Sequence, residues 1–262
     1  MDAGKNSVDD LGDMTVIGAG IVGLASALYL QRAGFKVSLF DKEAIAAGAS
    51  QGNAGHFATE QVFPLANPSL LYQLPSMLLD PLGPFRIRPT YFYRAVPWFM
   101  KFLFNMLPER RAHNSRAIKA LNEQSIKEMQ DILTFCDCEE LLRLNGSLLV
   151  FEGNSLEEVK REWQMYSNEG VDVELLTGQQ VRELEPSLTD NITHALFFTQ
   201  VGHTPDPYQI CLAIADKFKA LGGVIKVAQV DTINGGDEGV SVLLDGKVKI
   251  SSNKLLLTAG AW

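Results

Sequence analysis

The chain has 262 residues, 46% of them hydrophobic and 21% charged, which suits one large or two ordinary folded domains and excludes a disordered protein. Its formal net charge of −8 argues against a nucleic-acid-binding protein, because contacts with phosphates require a basic surface. The sequence has three cysteines, a polar start and no long apolar run, so we expect a cytoplasmic protein with reduced thiols. Without further ligands at suitable spacing, the Cys136-X-Cys138 pair predicts no metal site.

The first recognisable unit is a strand, a glycine-rich turn, a helix and a second strand. Residues 15–17 form a short apolar strand that leads into Gly18-Ala19-Gly20-Ile21-Val22-Gly23. A helix is predicted over 21–33, apolar on nearly every face and therefore largely buried. The second strand, 36–40, ends at Asp41. Two parallel strands bridged by a helix predict an α/β protein.

The glycine turn has the spacing of a dinucleotide-binding site. Gly18 permits the tight turn, Gly20 lets the backbone approach a pyrophosphate, and Gly23 allows the helix to pack close to the sheet. The helix start presents unpaired N–H groups to the phosphates. Asp41, 18 residues after Gly23, is placed to accept hydrogen bonds from ribose hydroxyls and disfavours NADP. The spacing alone does not separate NAD from FAD.

The region 75–199 mixes helices with strands. Ser155 with Glu158 and Thr177 with Gln180 are capping boxes, each of which begins a helix. Other elements predicted by pattern are a helix over 115–135 and strands over 146–151 and 171–176. We therefore expect an α+β insertion here.

The α/β pattern returns after residue 200. Asp206-Pro207 marks the N-cap and first residue of a helix. Asp245-Gly246 is a two-residue hairpin turn. The predicted strands are 224–230, 240–244, 247–250 and 254–258. We expect a discontinuous nucleotide-binding domain of residues 1–74 and 200–262 around the insertion.

Four segments, in the same order and spread over nearly the whole chain, resemble the FAD-dependent D-amino-acid oxidase superfamily, closest to bacterial D-amino-acid dehydrogenases. The segments are 16–42, the "ANAG"-like loop Gly48-Ala49-Ser50-Gln51-Gly52-Asn53-Ala54-Gly55, 202–207 with its helix, and Ala259-Gly260-Ala261-Trp262, similar to the family's "AGAW". The resemblance implies a Rossmann-like FAD-binding domain with an inserted α+β substrate domain. Family members continue with a last Gly-rich segment, so we expect a truncated chain that is incomplete at its C-terminus.

The resemblance also implies which residues hold the cofactor. The ADP half, the pyrophosphate and the flavin edge are expected to contact Val16, Ile17, Gly18, Gly20, Ile21, Val22, Gly23, Asp41, Lys42, Ser50, Asn53, Ala54, Gly55, Val230, Ala259 and Gly260. Some relatives link FAD covalently to a histidine before the Ala-Gly pair, but Gly52 occupies that position here, so we expect non-covalent FAD. His56 is a candidate for the substrate side of the flavin, and its alternative role is structural.

The implied activity is oxidation of an amino acid at its amine carbon, followed by hydrolysis to a 2-oxo acid and ammonia. A secondary-amine oxidoreductase of the sarcosine or proline type and a non-catalytic FAD-binding fragment are the alternatives. The substrate carboxylate requires a cation, for which Arg86, Arg88 and Arg94 are unassigned candidates. Either oxygen or a quinone is expected to reoxidise the flavin.

The segment 85–111 combines aromatic residues at helical spacing with six basic residues and one acidic residue. One interpretation is a peripheral helix on the cytoplasmic face of a membrane that passes electrons to a quinone. The other is an amphipathic cover on the substrate domain.

Overall fold

The computed structural model describes residues 12–80, 88–236 and 239–261. The helices are α1 (Ile21–Arg32), α2 (Ser69–Leu79), α3 (Phe92–Phe104), α4 (Pro108–Phe135), α5 (Leu156–Asn168), α6 (Gly178–Leu184) and α7 (Pro207–Ala220). The strands are β1 (Asp13–Ile17), β2 (Lys36–Asp41), β3 (His56–Phe57), β4 (Ser147–Glu152), β5 (Val173–Thr177), β6 (Ile192–Phe198), β7 (Gly202–His203), β8 (Val224–Val227), β9 (Val230–Gly236), β10 (Gly239–Leu244), β11 (Val248–Ser252) and β12 (Lys254–Leu257).

The described residues fall into two compact units. The first contains the residues up to His56, Lys127–Arg143 and those from His203 onwards, and the second contains Phe57–Ile126 and Leu144–Gly202. The predicted domain boundaries place 57–74 with the first group and 127–143 with the second. Assignment of either unit to a cofactor or a substrate domain stays a prediction.

The first unit is built on a parallel sheet with the strand order β12-β1-β2-β8. Ile17 lies opposite Phe40 in the register of β1 and β2, so the glycine turn and Asp41 leave the sheet at the same edge. Helices α1 and α7 pack against each other, and the side chains of Leu24 and Phe218 are fully buried. Parallel strands connected through helices confirm the predicted α/β class.

Helix α1 was predicted to be largely buried because it is apolar on nearly every face, and this prediction is wrong. Gly23, Leu24, Ala27 and Leu28 form the buried face. Val22 is 64% exposed and Tyr29 is 42% exposed. Helix α1 contacts β1, β2 and α7, and an apolar composition does not by itself place neighbours around the whole of a helix.

The stretch 224–230 was predicted as one strand but forms two, so this prediction is also wrong. Strand β8 is the edge of the parallel sheet, whereas β9 belongs to an antiparallel sheet with the order β11-β10-β9. Between them, the N–H of Ala228 donates to the carbonyl of Asp41 at 2.8 Å. Apolar residues continue across the junction at Val227, Ala228 and Val230, so the sequence carries no mark of the change of sheet.

The cap prediction of this half is confirmed, and a tight turn lies at Asp245-Gly246 as predicted. Asp245 has φ +50° and Gly246 has φ +64°, but Leu244 pairs with Val248, so the connection has three residues and the predicted length of two is wrong. The Asp206 carboxylate accepts hydrogen bonds from the N–H groups of Tyr208 at 2.9 Å and Gln209 at 3.2 Å. This cap fixes where α7 begins.

The second unit contains an antiparallel sheet with the order β4-β6-β5. Both predicted capping boxes are present, with Ser155 at the start of α5 and Thr177 at the start of α6. Helices α5 and α6 pack on this sheet, and the core contains Val159, Val181 and Leu196. Strand β6 lies at the centre of the sheet and was not predicted from the sequence.

Helices α2, α3 and α4 precede this sheet in the chain. Helix α4 begins at Pro108, earlier than the predicted start at 115. The aromatic segment contains α3, as its spacing indicates. Arg86 and Trp262 lie outside the described residues. Among the helices of the described ranges, none combines the length and the hydropathy needed to cross a membrane.

The three cysteines are free thiols. Cys138 and Cys211 are buried, whereas Cys136 is partly exposed. Burial raises the pKa of Cys138 and that of Cys211 to about 11. Both groups are therefore protonated and unreactive near neutral pH.

Candidate functional site

The glycine turn and the end of β2 are joined by direct hydrogen bonds. One carboxylate oxygen of Asp41, Oδ2, accepts from the N–H of Ala19 at 2.8 Å, and the other, Oδ1, accepts from the N–H of Glu43 at 3.0 Å. The N–H of Gly18 donates to the carbonyl of Phe40 at 2.7 Å. Asp41 is half-buried, so its oxygens keep access to a further hydrogen-bond donor.

The three glycines of the turn have different surroundings. Gly18 has φ +105°, and a Cβ there would lie 2.5 Å from the carbonyl oxygen of Thr258. A Cβ on Gly23 would lie 1.8 Å from the carbonyl oxygen of Gly18. A Cβ on Gly20 would meet only the Ser50 hydroxyl oxygen, at 3.2 Å. Gly18 and Gly23 are therefore required by the fold, whereas Gly20 leaves open space beside the backbone.

The start of α1 differs from the expectation of wholly unpaired N–H groups. The N–H of Ile21 donates to Oγ of Ser50 at 3.0 Å, so that prediction is wrong for this group. The first N–H that closes a helical hydrogen bond is that of Leu24, to the carbonyl of Gly20 at 2.9 Å. The N–H groups of Val22 and Gly23 lie in the first turn of α1, where backbone N–H groups have no carbonyl acceptor within the helix. No acidic residue lies in this first turn, so an anion meets no like charge there.

The segment that carries Ser50 is anchored to the turn by Ala46. This residue is buried, has φ +58°, and donates its N–H to the carbonyl of Ala19 at 2.9 Å. The N–H of Gln51 then donates to the carbonyl of Ala46 at 3.1 Å. Sequence reasoning missed Ala46, because a positive φ is typical of Gly, Asn or Asp rather than of alanine.

Thr258 is a second residue that sequence reasoning missed. Its N–H donates to the carbonyl of Ile17 at 2.8 Å, and its Oγ1 lies 2.8 Å from the same oxygen. Oγ1 also lies 3.2 Å from the carbonyl oxygen of Gly18. The end of β12 thus fixes the backbone where the glycine turn begins. Its sequence signal is weak, since a threonine after an apolar strand is common.

Ala259 and Gly260 follow Thr258 directly. A Cβ on Gly18 would lie 3.0 Å from Cα of Ala259, which brings this residue to the turn. Gly260 has φ +70°, a conformation that glycine adopts without strain. Both residues are exposed. The structure therefore places the predicted 259–260 pair beside the first glycine.

The loop that precedes β3 is held by two hydrogen bonds at Gly55. Oδ1 of Asn53 accepts from the N–H of Gly55 at 2.8 Å. Gly55 is buried with φ +73°, and its carbonyl accepts from the N–H of Thr204 at 2.8 Å. Ala54 and His56 on either side are exposed.

Lys42 and Val230, both predicted to contact FAD, lie next to other residues of the protein. Nζ of Lys42 lies 3.8 Å from a carboxylate oxygen of Glu43 on an exposed surface. Val230 packs against a buried cluster that contains Phe40 and Val242. Contacts of these residues with a ribose or an adenine stay predictions.

Comparison with known proteins gives consistent matches over nearly the full chain. The D-amino-acid oxidase of Bradyrhizobium diazoefficiens is 28% identical over 252 residues, which cover 95% of this chain and 60% of the relative. The D-amino acid dehydrogenase of Vibrio atlanticus is 23% identical over 256 residues, covering 95% and 61%. The chain thus spans about 60% of the length of the curated relatives that it matches.

A solved structure supports the same fold. The glycine oxidase from Bacillus cereus has a TM-score of 0.62 at 20% identity, over 96% of this chain and 56% of that one. The family model described as DAO, FAD dependent oxidoreductase, matches residues 13–262. The predicted resemblance is confirmed, and the chain belongs to this family of FAD-dependent oxidoreductases.

Proposed function

We propose that the chain binds FAD with the ADP half at the glycine turn. The observation that carries the proposal is the Asp41 carboxylate, which lies at hydrogen-bond distance from Ala19 inside that turn. The open space beside Gly20 and the N–H groups of Val22 and Gly23, which have no acceptor within the helix, fit a pyrophosphate that approaches the backbone. An acid at this position fits the ribose hydroxyls, which donate hydrogen bonds.

Further residues of the chain are proposed to contact FAD. Ser50 lies at the helix start and offers a hydroxyl that accepts from Ile21 and still has a proton to donate to a phosphate oxygen. Ala259 and Gly260 expose backbone on the side of Gly18. The other proposed contacts are Val16, Ile17, Val22, Lys42, Asn53, Ala54, Gly55 and Val230.

The cofactor is proposed to be held without a covalent bond. The loop before β3 carries Gly52, Asn53, Ala54 and Gly55, none of which has a nucleophilic side chain suited to attack on the flavin. His56 is exposed at the end of this loop. Its proposed position is on the substrate side of the flavin.

The proposed reaction is the oxidation of an amino acid at its α-carbon. FAD supplies the hydride acceptor, while the protein supplies binding, orientation and electrostatics. The amine nitrogen gives up a proton as the carbon loses hydride, and the resulting imine reacts with water to give a 2-oxo acid and ammonia. Two relatives named for D-amino acids and one structure named for glycine support a primary amine as the substrate.

The substrate carboxylate is proposed to contact an arginine. Arg88 and Arg94 are exposed candidates for the carboxylate contact. Oxygen or a quinone is proposed as the acceptor that reoxidises the flavin. The unpaired thiols favour the cytoplasm as the compartment, where they remain reduced.

The experiment is a titration of the purified 262-residue chain with FAD, followed by anaerobic addition of amines. Binding should quench flavin fluorescence, and denaturation in acid should release free FAD, as a non-covalent cofactor requires. Bleaching of the flavin by D-alanine but not by sarcosine or proline would support the proposed substrate class, and the reverse order would identify a secondary-amine enzyme. Bound flavin that no amine reduces would favour a binding module, and a chain that binds no FAD would refute the proposal.

A further inference from the structure

Helix α3 presents an apolar stripe to solvent. None of its described side chains is buried, although the helix consists almost entirely of apolar residues. Phe92, Val96, Met100 and Leu103 recur at spacings of four, four and three residues, which places them on one face of a helix. Their exposed fractions are 52%, 39%, 62% and 43%.

Aromatic side chains extend this stripe. Tyr93 is 65% exposed and Phe104 is 50% exposed, and by helical periodicity both lie beside Met100. Trp98 stacks on Phe102 with ring centroids 5.1 Å apart, and half of the Trp98 surface remains open to solvent. Large exposed apolar patches on a protein surface mark interaction sites.

The charges around the stripe are almost all positive. Residues 88–111 contain five basic residues and one acidic residue, whereas the whole chain has a net charge of −8. Arg94 and Lys101 are seven residues apart on α3 and therefore share one face, which by helical periodicity lies opposite the stripe and forms the polar face of the helix. Arg110 lies over the ring of Phe104, with its guanidinium carbon 3.9 Å from the centroid. An apolar stripe with basic residues around it, on a protein of negative net charge, favours a partner of negative charge.

We propose that α3 is a membrane-surface helix, with the stripe of Phe92, Val96, Met100 and Leu103 inserted among the lipids of an anionic bilayer. The basic residues would contact the phosphates of the headgroups, while Tyr93 and Trp98 lie at the level of the interface. An exposed apolar face, flanking basic residues and aromatic side chains are the features that hold a helix in the plane of a bilayer. The proposal stands independently of the proposed amine oxidation.

A bilayer fits this surface better than a second copy of the chain. A two-fold dimer places the same face of each subunit against the other, so two copies would bring together two segments 88–111, each with five basic residues and one acidic residue. Like charges brought together in an interface cost several kcal/mol. Anionic headgroups, by contrast, attract each basic residue near the surface.

Vesicle flotation of the complete 262-residue chain tests the proposal. The protein is mixed with vesicles of phosphatidylcholine alone or with one third phosphatidylglycerol, and the floated fraction gives the partition coefficient. We expect binding to the anionic vesicles only. The double variant Arg94→Gln/Lys101→Gln should bind about 30-fold more weakly, since each basic residue near an anionic surface contributes about a factor of five.

The stripe is tested separately with Met100→Gln/Leu103→Gln, for which we expect at least about tenfold weaker binding because the inserted apolar area is lost. Leu121→Gln, at a residue that is 76% exposed on α4, is the apolar control. Lys127→Gln/Lys160→Gln removes two exposed charges elsewhere and is the charge control. Both controls should float like the wild type, and circular dichroism should show folded protein throughout.

Three results would overturn the proposal. Equal flotation with neutral and anionic vesicles would exclude recognition of the headgroups, and no flotation with either would exclude the bilayer. If light scattering shows a dimer that the stripe variant abolishes, the stripe is covered by a second copy instead. Since flotation requires no flavin and no turnover, its failure is distinguishable from failure of the proposed activity.

Discussion

Replacement of Gly20 or Gly23 by alanine separates ligand binding from folding. The change at Gly20 is expected to affect FAD binding, whereas the change at Gly23 is expected to affect the packing of α1 on the sheet. In Gly23→Ala the new Cβ would lie 1.8 Å from the carbonyl oxygen of Gly18 and 2.7 Å from Oγ1 of Thr258. Both atoms are held by hydrogen bonds, so the helix must move away from the sheet. Overpacking of this severity costs about 3 kcal/mol of folding free energy.

In Gly20→Ala the new Cβ meets only the Ser50 hydroxyl oxygen, at 3.2 Å. Gly20 has φ −73° and ψ 176°, which alanine adopts without strain. The folding cost is then that of alanine in place of glycine at an N-cap, about 1 kcal/mol or less. A methyl group where the pyrophosphate approaches the backbone displaces it from donors worth about 1.5–3 kcal/mol each, so FAD should bind at least about tenfold more weakly.

The assay has two measurements on each variant. Thermal unfolding without FAD reports the folding free energy, for which 1 kcal/mol corresponds to about 2–4 °C in a chain of this size. Fluorescence titration with FAD reports affinity. We expect Gly20→Ala to unfold within about 4 °C of the wild type but to bind FAD poorly, and Gly23→Ala to unfold much earlier. If Gly20→Ala binds FAD as tightly as the wild type, the reasoning that places a pyrophosphate at this turn is wrong.

Three further predictions concern single groups. Asp41→Asn should weaken FAD binding by about tenfold because the ribose loses a charged acceptor; an unchanged dissociation constant in the fluorescence titration would contradict this. Thr258→Val should lower the free energy of unfolding by about 1 kcal/mol in urea, since one hydrogen bond at the turn is lost, whereas Thr258→Ser should remain close to the wild type. Labelling of Cys211 by a thiol reagent in the folded chain should be slow at pH 7 and accelerate towards its pKa of about 11. Fast labelling at pH 7, measured by mass spectrometry, would show that this thiol is neither buried nor protonated.

The elements predicted best from the sequence are those whose signal is local. The capping boxes at Ser155 and Thr177, the Asp206 cap and the Asp245-Gly246 turn all depend on hydrogen bonds or dihedral angles within a few residues. Such interactions are fully specified by neighbouring residues. The first strand–helix–strand unit was predictable for the same reason, since glycine spacing and apolar runs lie within 30 residues.

The errors arise where distant parts of the chain decide the outcome. Strand β8 ends at Val227 because the chain leaves the parallel sheet for the antiparallel one, and nothing in an apolar run indicates which sheet it joins. Exposure of Val22 depends on where other elements pack, which periodicity does not report. The same limit applies to the missed site residues, since Thr258 contacts Ile17 across 241 positions of sequence.

The helix that begins at the glycine turn is capped in a way that suits a ligand better than stability. Its N-cap residue, Gly20, has no side chain that could accept a hydrogen bond, and its first turn has no acid, although both features usually stabilise a helix. One acceptor comes instead from Ser50, 29 residues away, whose neutral hydroxyl lies 3.0 Å from the N–H of Ile21. A carboxylate in that place would stabilise the helix more but would repel a phosphate. A neutral cap supplied from a distant loop therefore leaves the positive end of the helix dipole available to an anion.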